Sequence, residues 1–427
     1  MLNTIEFVRD MIHGLDSLVE LDGAKVPAIN LDNAATTPAF KKVVEEVKNQ
    51  LLFYGSIGRG KGQKSEHSTD LYEKGRELIK NFLGANNDKY TVAYTNNTTD
   101  ALNKLASALI ESPEDIILTT RMEHHANDLP WRERAKTVYA EVDSDGRLII
   151  KDIARLLAEH NGKIKYVCVT AASNVTGYVN DIHRIAKLAH RSNAKIIVDG
   201  AQIVAHRAVN MQGFSPEERI DFFTFSAHKM YSPFGGGAIV GLKSVMDKHI
   251  PAFYGGGMVE AVYDEAVCFS SAPGSFEAGS PNFPGVVGML KAMEIIQSIG
   301  FGYIRRYEQF LTRKLIMGLE LLPDVVLYGD SNNIADRVGV ITFNVKGIPP
   351  KVVADFLAKN YAIAVRHAAF CAHPYVYRLT EESLHGCAFP EGAVRVSLGI
   401  YSSTEEVDTF LEAIAECIHC CLAAEVV

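Results

Sequence analysis

The sequence contains no apolar run that approaches the ~20 residues needed for a membrane-spanning helix. Its first residues, MLNTIEFVRDMIHGLDSLVELDG, also lack a signal-peptide core, because acidic residues interrupt the apolar positions. These absences argue against membrane insertion and against secretion. We therefore expect a cytosolic protein whose first residues form an amphipathic helix.

Paired cysteines and an excess of positive charge are missing as well. The seven cysteines are odd in number and irregularly spaced, which favours a reducing compartment over a disulfide scaffold. The net charge of −8 provides no general attraction for nucleic acid or for anionic membranes. A chain of 427 residues, 47% hydrophobic and 22% charged, is typical of a globular enzyme with two lobes.

Short apolar runs alternate with helical patterns along the first two thirds of the chain. The runs that predict strands are TVAYT, DIILTT, KTVYAEV, IKYVCVT, AKIIVDG, DFFTFS and GAIVGL. This alternation predicts an α/β fold, with a mainly parallel seven-stranded sheet in a large domain over residues 31–295. A long helical pattern followed by VGVITFNV, AIAVRH and AVRVSLG predicts a smaller α+β domain over 296–427. Residues 1–30 would pack with that smaller domain.

Polar residues follow five of the predicted strands directly. They are the NNTT stretch at 96–99, His124 with His125, Asn174, Asp199, and Ser226 with His228 and Lys229. Ligands of parallel sheets collect at the carboxyl ends of the strands, so these residues are candidates for one binding site. Each has a structural alternative, such as a helix cap at Thr98. Together they are hard to explain as caps.

Lys229 is unusual because it lies between the apolar run IDFFTF and the turn before GAIVGL. A lysine in a water-poor setting loses preference for its charged form, which makes the amine available as a nucleophile. The alternative is a lysine at a strand end whose amine reaches solvent.

The set as a whole meets the requirements of pyridoxal phosphate. That cofactor needs a lysine, a carboxylate for its pyridine nitrogen, an anion site for its phosphate and a flat group against its ring. Lys229, Asp199, the Asn97–Thr99 loop and His124 provide these groups. A nicotinamide cofactor is disfavoured because no GxGxxG follows the first strand, and the glycines at 235–237 are typical of a tight turn.

These residues resemble the class V, fold-type-I pyridoxal phosphate enzymes, most closely the cysteine desulfurase/selenocysteine lyase branch near its group II (SufS-type) members. The likeness extends from LDNAATTP to RVSLGIYSSTEEVD and includes MEHHAN, SNVTGYVNDI, VDGAQ, FSAHKMYSP, FEAGSPN and AVRHAAFCAHP. It implies a large and a small domain, and a homodimer with both active sites at the interface.

The resemblance also implies roles in cofactor binding. Lys229 would form the Schiff base, Asp199 would pair with the pyridine nitrogen, and Gln202 would contact the phenolic oxygen. His124 would stack on the ring and shuttle a proton. The phosphate would be held by the side chains of Thr99, Ser226 and His228, with backbone donors from Asn97 and Thr98.

Further roles concern the substrate and the partner subunit. Asn174 and Arg395 would bind the substrate carboxylate, with Arg366 as a further substrate-binding residue. Ser280, where the family usually has threonine, would reach the phosphate in the partner's site. Arg59 would lie near the active-site entrance across the dimer.

Cys371 is the residue that would distinguish a desulfurase from the other enzymes of this family. In desulfurases a loop cysteine takes the sulfur of the substrate as a persulfide, and alanine is released. The family's spacing from arginine to cysteine is kept, but Ala368, Ala369 and Phe370 replace the usual glycine and two histidines. The alternative is a buried cysteine that serves only in packing. The stretch PYVYRLTEESLHGCAFPEGA that follows is longer than the group II pattern.

The predicted function is a cysteine desulfurase that acts on L-cysteine and passes sulfur to an acceptor protein. Selenocysteine lyase, another C–S lyase, an epimerase and an aminotransferase remain alternatives, as does a scaffold role. A zinc site at Cys417, His419, Cys420 and Cys421 is a weak alternative, since no second ligand cluster is in view, and no metal is expected.

Overall fold

The computed structural model describes residues 2–58, 60–85, 88–383 and 392–423. In this part of the chain no helix is both long and apolar enough to cross a membrane. The first elements are a helix, a short hairpin and a two-residue strand: α1 Leu2–Asp10, β1 Leu18–Leu21, β2 Ala24–Pro27 and β3 Ile29–Asn30. The expected amphipathic helix is therefore present, but it ends at Asp10.

The middle of the chain alternates strands and helices. Its elements are α2 Lys41–Leu51, α3 Gln63–Phe82, β4 Tyr90–Thr95, α4 Thr98–Leu109, β5 Ile116–Thr120, α5 Leu129–Arg132, β6 Lys136–Ala140, α6 Ile150–Glu159, β7 Ile164–Thr170, α7 Ile182–Arg191, β8 Lys195–Asp199, β9 Phe222–Ser226, β10 Gly237–Leu242, α8 Lys243–Met246, β11 Val259–Val262, β12 Val267–Phe269 and α9 Phe283–Ile299. All seven runs predicted as strands form strands.

Those seven strands make one sheet in the order β4-β10-β9-β8-β7-β5-β6. The ladders among β9, β8, β7, β5 and β6 are parallel, whereas β10 pairs antiparallel with both neighbours. The central strands are buried along nearly their whole length, as expected for a sheet covered by helices on both faces. The predicted α/β class and the mainly parallel sheet are confirmed.

The last part of the chain forms a second, antiparallel sheet. Its elements are α10 Phe301–Glu320, β13 Val325–Tyr328, β14 Val340–Val345, α11 Pro350–Tyr361, β15 Ile363–Ala364, β16 Arg366–Ala368, α12 His373–Ser383, β17 Ala393–Ser397 and α13 Thr404–Ala423. The strand order is β13-β14-β17-β16. A core of its own lies between this sheet and α10, α11 and α13. The longer segment expected after Cys371 continues through 384–391, outside the described residues.

One predicted strand is wrong. AIAVRH, at 362–367, forms two short strands, because β15 pairs parallel with β3 of the amino-terminal segment while β16 pairs with β17. Ile5 of α1 also packs into the core of the second sheet, whereas Val8 packs into that of the large sheet. The domain boundaries drawn from the sequence stay a prediction.

A buried carboxylate joins the two regions. Glu308 of α10 accepts hydrogen bonds from His206 Nδ1 at 2.5 Å, Arg207 Nη1 at 2.6 Å and the N–H of Gly339 at 2.9 Å. Burial by itself would raise the pKa of Glu308, but His206, Arg207 and the Gly339 N–H lower it to about 2. Since His206 and Arg207 follow β8, this cluster fixes α10 relative to the sheet edge where Asp199 lies.

We expect the substitution Glu308→Gln to destabilise the protein by about 3 kcal/mol at neutral pH, because it leaves the largely shielded guanidinium of Arg207 without its carboxylate partner. The pKa of Glu308 is depressed by folding, so its contribution is complete above the ordinary value of 4.5 and is lost as the pH falls toward about 2. Urea unfolding across this range measures both effects.

The control is Glu320→Gln, an exposed glutamate on the same helix. It should unfold like the wild type at every pH. A Glu308→Gln protein that keeps the wild-type midpoint, or keeps the wild-type loss of stability below pH 4.5, would contradict the assigned role.

Candidate active site

The carboxyl ends of the central strands border a cleft of about 260 Å³. Residues after β4, β5, β7, β8 and β9 line it, together with residues from β16, from the loop before α12 and from β17. The lining includes most predicted site residues: Asn97, Thr98, Thr99, His124, Asn174, Asp199, Gln202, Ser226, His228, Lys229, Arg366, Cys371 and Arg395. The structure thus brings together residues that the sequence places up to 298 positions apart.

Lys229 and Asp199 form the charged centre of the cleft. Lys229 ends a short 3-10 turn, Ala227–Lys229, that follows β9, and Asp199 is the last residue of the neighbouring strand β8. Burial lowers the pKa of Lys229 to about 8, while Asp199 opposes the shift and Arg395 adds to it. Burial raises the pKa of Asp199, against a hydrogen bond from the Ala201 N–H and the charge of Lys229. Lys229 is half-buried and lines the cleft, so the charged form of its amine is disfavoured, and its predicted role stays a prediction.

One end of the cleft has the features of an anion site. The helix α4 begins at Thr98, and Asn97 caps it by accepting the N–H of Asp100 at 2.9 Å. The Ser226 hydroxyl accepts the Thr98 N–H at 2.7 Å and lies 2.8 Å from Thr98 Oγ1. The Thr98 N–H is therefore engaged within the protein, which leaves the hydroxyls and the helix start to face an anion.

His228 lies at the same end of the cleft. Its Nδ1 is 3.3 Å from Thr36 Oγ1, and its carbonyl oxygen accepts the hydroxyls of Thr36 and Thr37. Burial and the nearby Lys229 lower the pKa of His228 to about 4. The ring is thus neutral at physiological pH, and it can offer a hydrogen bond to an anion without adding a charge.

His124 presents a neutral ring to the cleft. Its Nδ1 accepts the N–H of Ala126 at 3.0 Å, so the proton of the neutral ring is on Nε2. Burial, and then Lys229, lower the pKa of His124 to about 3. Gln202 donates through Nε2 to the carbonyl oxygen of Ala34 at 2.8 Å, which fixes its amide at the cleft wall.

Arg395 of β17 is 3% exposed and is held on several sides. Its Nη2 donates to Asp32 Oδ1 at 2.8 Å and its Nη1 donates to the carbonyl oxygen of Asn174 at 3.0 Å. The ring of Phe370 lies 5.0 Å from its Cζ. Its Nε is buried with no hydrogen-bond partner among the described residues, whereas Nη1 and Nη2 each have a second N–H that these two bonds do not use.

Cys371 lies in a loop with an uncommon backbone. Ala368, Phe370 and Cys371 have φ angles of 86°, 50° and 55°, in the left-handed region that costs most non-glycine residues energy. The N–H of His125 donates to the Cys371 carbonyl oxygen at 2.7 Å, and Asn174 Nδ2 donates to that of Phe370 at 2.8 Å. Cys371 is exposed and lines the cleft, so it is not a buried packing residue.

One predicted site residue does not line this cleft, and another lies outside the described residues. Ser280 is described and exposed, in the segment before α9, and it does not line the cleft. Its loop is anchored by Glu277, which accepts from Arg76 and from the Tyr72 hydroxyl. Arg59 lies outside the described residues. The roles of both across a dimer stay predictions.

Some cleft residues were missed by the sequence reasoning. They are Ala34, Ala35, Ala126, Thr170, Ala172, Ala201 and Phe370. Thr170 ends the predicted strand IKYVCVT, and the alanines directly follow strand or motif residues, so a search for small residues at strand ends could have found them. Among the described residues no cluster of three or more histidine, cysteine or acidic side chains is suited to a metal ion, so the zinc alternative has no support.

The sequence and the fold match known proteins. The model of the aminotransferase class-V family matches residues 29–410, and the chain belongs to that family. A cysteine desulfurase from Haloferax volcanii is 32% identical over 404 residues, covering 92% of this chain and 90% of the relative.

Solved structures agree with that assignment. The apo cysteine desulfurase from Thermococcus onnurineus NA1 has a TM-score of 0.85 at 31% identity, covering 97% of this chain and 98% of that one. The cysteine desulfurase CsdA from Escherichia coli has a TM-score of 0.81 at 26% identity, with the same coverage of 97% and 98%. The fold is thus that of the fold-type-I pyridoxal phosphate enzymes, as predicted.

The enclosure of Lys229 has a measurable consequence. In cofactor-free protein its amine should titrate at about 8 rather than at the ordinary 10.5. Competitive labelling with acetic anhydride over a range of pH, read by mass spectrometry of the Lys229 peptide, gives this midpoint. Asp199→Asn should move the midpoint lower, since Asp199 raises the pKa of the amine.

The matched control is Asp247→Asn, which removes a carboxylate paired with the surface residue Lys243. It should leave the Lys229 midpoint unchanged. A wild-type midpoint at 10.5, or a rise in Asp199→Asn, would contradict the burial and the charge pairing described here.

Proposed function

We propose that this protein is a pyridoxal phosphate-dependent cysteine desulfurase that converts L-cysteine to L-alanine and leaves the sulfur on Cys371. The observation that supports it best is that Cys371 lines the same cleft as Lys229, Asp199 and Arg395. The names of the similar proteins support the same reaction. The motifs MEHHAN and AVRHAAFCAHP support a place in group II. A sulfur-acceptor protein and a cytosolic location are parts of this proposal that depend on family resemblance.

The residues fit the cofactor. The buried carboxylate of Asp199 has one of its oxygens bonded to the Ala201 N–H, which leaves the other for a pyridinium N–H. Ser226, Thr99 and His228 would hold the phosphate beside the start of α4, and Gln202 would meet the phenolic oxygen. Small side chains at Ala172 and Ala201 leave room for a flat ring next to His124. When bound, the cofactor supplies an electron sink for charge that develops at the substrate α carbon.

Arg366 and Arg395 form a cationic wall of the cleft, and this wall would orient the substrate. Arg395 would bind the substrate carboxylate through N–H groups of its guanidinium that line the cleft, with Asn174 beside it. A fixed carboxylate places the α carbon near Lys229. Because the pKa of Lys229 is about 8, a substantial fraction of its amine is neutral near physiological pH, and it can accept the proton of the α carbon.

The sulfur step needs a nucleophile at the open side of the cleft. The Cys371 thiolate would attack the substrate sulfur, so that the new S–S bond forms as the C–S bond breaks and the electron pair of that bond returns to the substrate carbon. The neutral His124 ring can donate a hydrogen bond through its Nε2–H, and Lys229, having accepted the proton of the α carbon, would supply a proton as the product forms. Exposure of Cys371 would leave the persulfide accessible to an acceptor.

The decisive experiment is Cys371→Ala with L-cysteine and a thiol reductant, measuring alanine and sulfide together. We expect equimolar products from the wild type, and from Cys371→Ala a loss of at least about 100-fold and no persulfide by mass spectrometry. The cofactor absorbance should persist, because Lys229 and Asp199 are unchanged. Selenocysteine turnover is expected to survive better, since selenium leaves carbon more readily than sulfur.

Cys420→Ala is the matched control, since it removes an exposed cysteine of α13 outside the cleft. It should retain wild-type alanine and sulfide production. Wild-type cysteine turnover by Cys371→Ala would reject the persulfide step, and another class V reaction such as selenocysteine lysis would take its place.

We also propose a homodimer in which Ser280 completes the partner's site. Apolar side chains next to the Ser280 loop face solvent, with Phe253, Tyr254 and Tyr263 exposed by 64%, 65% and 65%. The Gly279 N–H donates to the Gly256 carbonyl oxygen at 2.7 Å, so these residues and Ser280 form one surface. An exposed apolar surface of this kind is typical of a protein interface.

Hybrid dimers test this arrangement. One hybrid combines a Lys229→Ala chain with a Ser280→Ala chain, so its single lysine-containing site receives an intact Ser280. The other combines a Lys229→Ala, Ser280→Ala chain with a wild-type chain, so its single lysine-containing site receives none.

The first hybrid should bind cofactor at least about threefold more tightly at that site than the second, as expected for one lost hydrogen bond to a phosphate. Equilibrium dialysis of pyridoxal phosphate measures the difference. Equal affinities, or a fully active monomer by size-exclusion chromatography, would contradict the assignment of Ser280.

A further inference from the structure

Arg395 contacts a carboxylate of its own chain. Its Nη2 lies 2.8 Å from Asp32 Oδ1, and Arg366 Nη1 lies 3.7 Å from Asp32 Oδ2. The side chain of Asp32 is 18% exposed, so the pair with Arg395 is largely shielded from water. Asp32 does not itself line the cleft, whereas both arginines do. It therefore lies behind the cationic wall and does not touch a ligand.

The backbone around Asp32 holds this carboxylate in place. The Ser397 N–H donates to the Leu31 carbonyl oxygen at 2.7 Å, and Asn33 Nδ2 donates to that of Ser397 at 2.9 Å. The Asp32 N–H donates to Asn30 Oδ1 at 3.0 Å. Residues 31–33 thus run along β17, the strand that contains Arg395. The backbone of Asp32 is thereby fixed beside Arg395.

Arg395 still has donors for a ligand. A guanidinium has five N–H groups, and the described hydrogen bonds to Asp32 and Asn174 occupy only two of them. Nη1 and Nη2 each keep a second N–H beyond these bonds, and the guanidinium lines the cleft. An incoming carboxylate would therefore share the guanidinium with Asp32.

We infer that Asp32 weakens the affinity of Arg395 for carboxylates, so that substrate and product exchange instead of being trapped. The inference rests on the proposed function, because it takes Arg395 as the residue that binds the substrate carboxylate. Two carboxylates on one guanidinium are like charges at short distance, and each lowers the affinity for the other. Asp32 is thus a positioning residue that sets the charge of the subsite.

When Asp32 is replaced by asparagine, the affinity for carboxylates changes because a charge is lost and not because the geometry changes. Asparagine keeps an oxygen that can accept the Nη2 hydrogen bond, and the Asn174 carbonyl oxygen and the Phe370 ring continue to hold the guanidinium. Removing one unit charge about 6 Å from another, at a dielectric constant between those of protein and water, changes an affinity on the order of tenfold. Asp32→Asn should therefore tighten carboxylate binding.

The test is calorimetric titration of the holoenzyme with L-alanine, the proposed product, which is bound but not turned over. Asp32→Asn should lower the Kd for L-alanine about tenfold and should lower the KM for L-cysteine in the same direction. Asp88→Asn, which makes the same change in net charge at an exposed position, should leave both constants at their wild-type values. An unchanged or higher Kd in Asp32→Asn overturns the inference.

Arg395→Gln separates this inference from the proposed function, with Arg395→Lys as a second variant if the first does not fold. If these variants weaken L-alanine binding at least about tenfold while Asp32→Asn has no effect, only the role of Asp32 is rejected. If they leave L-alanine binding unchanged, Arg395 is not the carboxylate site, and the substrate assignment fails together with the inference.

Discussion

The common direction of β4, β5, β7, β8 and β9 is the constraint on which the site depends. Parallel strands end at the same edge of a sheet, so every polar residue that follows one of them faces the same space. The helices on both faces leave this edge as the place where backbone N–H groups and side chains can meet a ligand. An antiparallel arrangement of the same strands would put Asp199 and Lys229 at opposite edges.

The titratable side chains at this edge are buried close together, so the pKa of each depends on the charge of the others. Burial lowers the pKa of Lys229, whereas Asp199 raises it and Arg395 lowers it. The cationic wall is in turn balanced by Asp32, which lies behind Arg395. His124 and His228 are neutral because burial and Lys229 both disfavour their protonated forms. A charge change at any one of these residues would shift the protonation of the others, since their burial weakens the screening between them.

The loop of Cys371 exposes the thiol to the cleft, while hydrogen bonds hold its backbone in place. Three of its residues have left-handed backbone angles, an arrangement that persists only where neighbouring contacts impose it. Here the contacts are the hydrogen bonds from His125 and Asn174, and the packing of Phe370 over Arg395. The family resemblance predicts histidine at the position of this ring, so Phe370 places an apolar group beside the proposed nucleophile.

The sequence by itself determined the class of fold and most of the cleft residues. IKYVCVT predicts a strand because it is apolar and β-branched, and it forms β7 over the same residues. Lys229 and Asp199 could be paired from their places after predicted strands, since parallel strands share an edge. Tertiary structure alone decided that Asp32 meets Arg395, 363 positions away, and that AIAVRH divides between two sheets. Periodicity reports only which face of a local element is buried, whereas these contacts depend on how distant segments pack against each other.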